Sequence, residues 1–138
     1  MAEQGYMAEK ILEYYYPGTT LGWLGARAVT ISWLDFEKVD MRVGVVTDAQ
    51  EFPEARRPAL RLWIDFGPLG VKRSSAQITA HYRPAELIGR RVVAVVNFHP
   101  KQVGPFISEV LVLGAYNEAG EVILLDTDQP VAPGSKIG

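Results

Sequence analysis

From position 60 to 66 the chain alternates strictly, with Leu60, Leu62, Ile64 and Phe66 in one phase and Arg61, Trp63 and Asp65 in the other. A period of two predicts a half-buried strand and puts Trp63 on the polar face. The Gly67-Pro68-Leu69-Gly70 turn leads into residues 71–77, the returning arm of a hairpin. Upstream, residues 41–49 form a Val-rich strand with Gly44 inside it, the mark of a bulge or tight bend. Residues 91–97 (RVVAVVN) are an almost continuous apolar run, which predicts a strand buried on both faces. A second buried strand is expected at 109–113. Residues 122–125 then pair back across the 117–120 turn, and 131–137 close around Pro133-Gly134.

Loops are expected at 51–58, punctuated by Pro53 and Pro58, and at 100–105 around Gly104. Two short helical segments interrupt the strands. One opens at Leu34-Asp35-Phe36 with Asp35 as N-cap; the other lies within 78–88, where Thr79 is a possible cap and Pro84 suits a first helical turn. Some six strands at turn spacings of about ten residues, with a helix between the third and fourth, predict an all-β fold. The expected architecture is a five-stranded OB-type β-barrel with a short inserted helix and flanking C-terminal strands, spanning residues 31–138.

Residues 1–30 read differently. Residues 9–16 suit two helical turns ended by Pro17-Gly18, and the stretch that follows has no settled period. An accessory or loosely ordered N-terminal extension is expected, although three consecutive tyrosines and Trp23 are costly to leave in water. The extension has neither a basic start nor a long apolar run, so a cytoplasmic protein without membrane insertion is expected.

Composition narrows the chemistry. With 138 residues, 48% hydrophobic and 22% charged, the chain has the profile of an ordinary globular domain. The absence of cysteine excludes disulfides, a thiol nucleophile and a thiolate metal site. His81 and His99 lack the spacing of a metal pair, and no cofactor is expected. Ser74-Ser75 sits in no nucleophile elbow, phosphate-cradling glycine loops are missing, and Asp126 with Asp128 suits a solvated loop. A binding protein rather than an enzyme is expected.

A net charge of −2 provides no global field for nucleic acid, so any such binding needs a local patch. Arg56, Arg57, Arg61, Lys72, Arg73 and Lys101 are expected to converge around the middle hairpin, where OB barrels bind their ligands. Trp63, Phe98 and Phe106 interleave with them as stacking or apolar contacts.

Several blocks together resemble a known family. Residues 35–44 (DFEKVDMRVG) are similar to the opening of the tRNA-binding OB domains, which occur as stand-alone dimers and as appendages of aminoacyl-tRNA synthetases. Residues 51–56 (EFPEAR), 64–67 (IDFG), 72–79 (KRSSAQIT), 95–98 (VVNF), 108–114 (SEVLVLG), 128–131 (DQPV) and 134–138 (GSKIG) resemble its CsaA-like branch. The resemblance covers roughly 34–138. It implies a homodimer with export-related chaperone activity on unfolded or precursor polypeptides, with tRNA binding as the alternative. Phe52, Trp63, Phe98 and Phe106 are then the candidate peptide contacts, and some of them must be core. The family's RNA-contacting asparagine, basic loop and serine fall on Asn97, Lys101 and Ser108. The basic loop is thin here, with Lys101 its only lysine, which argues against strong phosphate binding. The dimer seam is expected at 110–113 and 131–137.

Overall fold

The computed structural model describes residues 29–138; the expected N-terminal extension lies outside the described residues except for its last two positions. Helix α1 (Trp33–Glu37) is followed by β1 (Met41–Glu51), β2 (Leu60–Asp65), β3 (Val71–Ala76) and a short helix α2 (Pro84–Leu87). Then come β4 (Arg91–Val95), β5 (Lys101–Val103), β6 (Phe106–Ser108), β7 (Leu111–Val112), β8 (Gly114–Tyr116) and β9 (Val122–Leu124). One antiparallel sheet runs in the order β3-β2-β1-β4-β7, with β5–β6 and β8–β9 as separate hairpins. The sheet curls until its edges meet. The Arg73 carbonyl accepts from the N–H groups of Glu109 and Val110 at 2.8 and 3.3 Å, and the buried Ser74 hydroxyl donates to the Val110 carbonyl at 3.0 Å. This is the expected OB-type barrel, with α2 between the third and fourth strands and the β8–β9 hairpin flanking it.

The core follows the alternation in β2. Leu60, Leu62 and Ile64 point inward with Phe66 just beyond them, joined by Val46, Ala49, Leu87, Val92 and Ala94. The β1–β2 register slips between Val46 and Asp48, so the bulge sits at Thr47 rather than at Gly44. The extra residue lets Val46 and Ala49, three apart, both face the core. Gly44 has a different reason to lack a side chain: a Cβ there would collide with Ile64 and the Phe66 ring. Strand β4 is buried on both faces, as its apolar run predicts, with Val93 and Val95 in the opposite phase from Val92 and Ala94.

Five local expectations are corrected. Ser32, not Asp35, caps α1, and Asp35 completes a capping box by accepting from the Ser32 N–H. Thr79 caps nothing; α2 begins at Pro84 after an extended Arg83. The loop expected at 100–105 is largely the β5–β6 hairpin, turning at Gly104-Pro105 with Gly104 at φ 54°. The strand expected at 109–113 is reduced to β7, since Glu109 and Val110 are spent closing the barrel. Residues 131–137 form no strand. They follow β1 through paired hydrogen bonds of Gly134, Ser135 and Ile137 to Met41 and Val43.

Candidate ligand-binding groove

A hairpin folded over a loop makes the site. Phe106 of β6 is buried against Phe52 and Ala59 at the two ends of the β1–β2 loop. Its ring meets those of Phe52 and Trp63 edge-on, with centroids 5.6 and 5.7 Å apart. This aromatic cluster clamps the β5–β6 hairpin onto the barrel. A groove of about 1060 Å³ remains between the clamped hairpin, the β1–β2 loop and the ends of β3 and β7.

Phe98, Val103, Val110 and Leu111 give the groove an apolar lining, and Arg56, Arg57 and Lys101 give it cationic walls. Phe98 is 57% exposed, a large apolar surface offered directly to a ligand. Ser75, Gln77 and Ser108 add polar groups; the Ser108 hydroxyl accepts from the Ser75 N–H at 3.0 Å. The acids are Glu54 and Glu109, and the latter is held by Arg73.

The predicted site residues therefore divide. Arg56, Arg57, Phe98, Lys101 and Ser108 come together around the groove. Phe52 and Phe106 are buried and Trp63 is half-buried, so these three rings support the groove from beneath. Arg61 lies over the Phe52 ring at 5.3 Å, and Arg73 over Phe106 at 5.5 Å while paired with Glu109. Arg73 is thus committed to an acid, whereas Arg61 keeps a buried Nε with no hydrogen-bond partner among the described residues. Lys72 belongs to the other phase of β3 from Arg73 and does not line the groove. Asn97 acts as a strut: its side chain accepts from the Asp40 N–H at 3.0 Å and donates to the Lys38 carbonyl at 2.7 Å.

Sequence reasoning missed Gln77, Gln102, Val103, Glu109 and Leu111 as lining residues. The signal for the hairpin was present in Val103-Gly104-Pro105-Phe106, two apolar residues around a two-residue glycine-proline turn. Among the described residues, no cluster of three or more His, Asp or Glu is placed to hold a metal, and no helix is long and apolar enough to cross a membrane.

The chain is similar to known proteins in sequence and fold. The model of the "putative tRNA binding domain" family matches residues 41–136. Methionine–tRNA ligase of Bdellovibrio bacteriovorus is 35% identical over 113 residues, covering 82% of this chain and 16% of the ligase. The corresponding ligase of Nanoarchaeum equitans is 39% identical over 109 residues, covering 78% and 13%. This chain therefore spans only a small part of those relatives. Among solved structures, chaperone CsaA of Bacillus anthracis matches with a TM-score of 0.76 and 55% identity, covering 80% of this chain and all of the other. The CsaA chaperone of Picrophilus torridus matches with a TM-score of 0.74 and 51% identity, covering 79% and 100%. The chain belongs to the tRNA-binding domain family and, within it, is CsaA-like.

Proposed function

We propose that this chain is a cytoplasmic chaperone of the CsaA type that holds unfolded or precursor polypeptides for export. In this reading it is a non-enzymatic homodimer whose ligand-binding unit is the domain at 31–138. The observation that carries it is the groove, where exposed Phe98 and Leu111 lie between cationic walls. Such a surface suits extended chain segments with apolar side chains. Likeness to two structures titled as CsaA chaperones supports it. Calorimetry with a permanently unfolded polypeptide tests it: apolar burial requires a negative heat-capacity change on binding. Binding with no heat-capacity change would count against it.

A second reading, tRNA binding, is favoured by the family match and by Arg56, Arg57 and Lys101 around one groove with Ser108. It ranks second because phosphate affinity scales with the cations available. Arg73 is paired with Glu109, Arg61 does not line the groove, and Asn97 is bonded at both ends of its carboxamide.

A further inference from the structure

The groove is bordered by open backbone as well as by side chains. Along the outer edge of β3, the first groups are already satisfied. Arg73 donates its N–H to Glu109 Oε1 at 3.0 Å and accepts through its carbonyl from Glu109 and Val110, while the Ser75 N–H donates to Ser108 Oγ. The next two groups, the Ser75 carbonyl and the N–H of Gln77 one residue past the end of β3, have no partner among the described residues. Both residues line the groove. On a strand, the carbonyl of one residue and the N–H two residues on face the same way, so these two groups suit one residue of a parallel neighbour.

The opposite wall offers a second edge. In the β5–β6 hairpin, Val103 pairs with Phe106 around the two-residue turn and Lys101 pairs with Ser108. Alternation from the turn makes these the hydrogen-bonded pairs and turns both backbone groups of Gln102 away from β6. Gln102 also lines the groove, and its own side chain is occupied with the Gly104 carbonyl at 2.6 Å. A three-residue edge strand with free backbone groups is a template for another strand.

We infer that the polypeptide enters this groove as an added β-strand, its backbone bonded to Gln102 and to the Ser75–Gln77 edge. The inference rests on the groove being a polypeptide site and states how the chain is held. Backbone pairing explains how one groove accepts many sequences, since the recognised groups are common to all of them. Side chains of an added strand point alternately to two sides. Phe98, Val103 and Leu111 offer it apolar contacts and Arg56, Arg57 and Lys101 offer cations, while among the described residues the lining acid Glu109 is paired and Glu54 is not. The preferred occupant is therefore an extended segment that carries both apolar and acidic residues.

The test uses fluorescence anisotropy with the full chain and a labelled synthetic peptide alternating Leu and Glu. Two further versions carry N-methyl groups on alternate residues, one version for each phase. Added-strand binding predicts that methylation in either phase weakens affinity about tenfold or more, since one phase faces the Ser75–Gln77 edge and the other faces Gln102. Q102P removes one outward N–H at an edge position where proline is tolerated, and loses affinity by a similar factor. Hydrogen exchange follows both amides directly: those of Gln102 and Gln77 gain protection on binding. Methylated peptides that bind as tightly as the unmethylated one, with no added protection at Gln102 or Gln77, overturn the inference while leaving polypeptide binding standing. A peptide alternating Leu and Lys that binds equally well overturns the charge preference. If no peptide binds, the polypeptide reading falls and this inference with it.

Discussion

The Glu109 carboxylate accepts two hydrogen bonds from Arg73, one from its backbone N–H at 3.0 Å and one from Nε at 3.4 Å. The contact joins the β6–β7 connection to β3 at the seam of the barrel, and it commits a cation that the sequence offered to a ligand. Arg73→Ala removes the ion pair and the stacking on Phe106. Both charged side chains are about a third exposed, so solvent screening limits the expected loss to about 1 kcal/mol in urea unfolding. Any tRNA binding should weaken, because the substitution leaves the groove-lining Glu109 carboxylate without its cation.

The aromatic residues separate into support and contact. Phe106→Ala empties the centre of the clamp and should cost about 3 kcal/mol; Trp63→Ala, from a half-buried ring, should cost about 2 kcal/mol. Phe98→Ala should stay within about 0.5 kcal/mol of the parent in unfolding yet weaken polypeptide binding at least fivefold, since its ring is exposed. Denaturant curves alongside binding titrations distinguish the two classes.

Much of this division was legible before the fold. The alternation in 60–66 defined β2 and its faces, and the apolar run in β4 predicted burial on both sides. The aromatic assignments were not legible, because Phe52 and Phe98 both lie in loops and only tertiary packing decides which is covered. Phe52 is sealed by Phe106, 54 residues away, whereas Phe98 has no such partner among the described residues. The clustering of Arg56, Arg57 and Lys101 was foreseen from their loops, but the diversion of Arg61 and Arg73 onto neighbours depends on cross-strand geometry. The β5–β6 hairpin was missed because each arm is only three residues long, too short for a period to declare itself.

Asn97→Ala should lower stability by about 1 kcal/mol, because the Asp40 N–H and Lys38 carbonyl lose a partner that locks α1 to the end of β4. Thermal unfolding without ligand checks this. An unchanged melting temperature would mean that the strut carries no stabilisation.

The Glu121 carboxyl is held below its ordinary range, chiefly by the Asn117 amide at 3.0 Å and then by His81 at 2.8 Å. These bonds tie the loop before α2 to the β8–β9 hairpin. A depressed carboxylate contributes stability that is complete above its unfolded pKa and disappears as pH falls through the folded one. Glu121→Gln should therefore melt lower than the parent at neutral pH and converge with it as pH drops below the usual carboxylate range. A gap that persists or widens in acid would contradict this assignment.

Whether the groove takes polypeptide chains or tRNA decides between the two functional readings. The most direct measurement titrates the full chain against a permanently unfolded polypeptide and against bulk tRNA, each at low and near-physiological salt. Polypeptide binding should survive the higher salt and be weakened by Phe98→Ala. Binding of tRNA should be weak at that salt, with a log–log salt slope of magnitude no more than about 3 from Arg56, Arg57 and Lys101 together. Tight tRNA binding with a steeper slope, beside negligible retention of the polypeptide, would contradict the polypeptide reading and make the groove an RNA site.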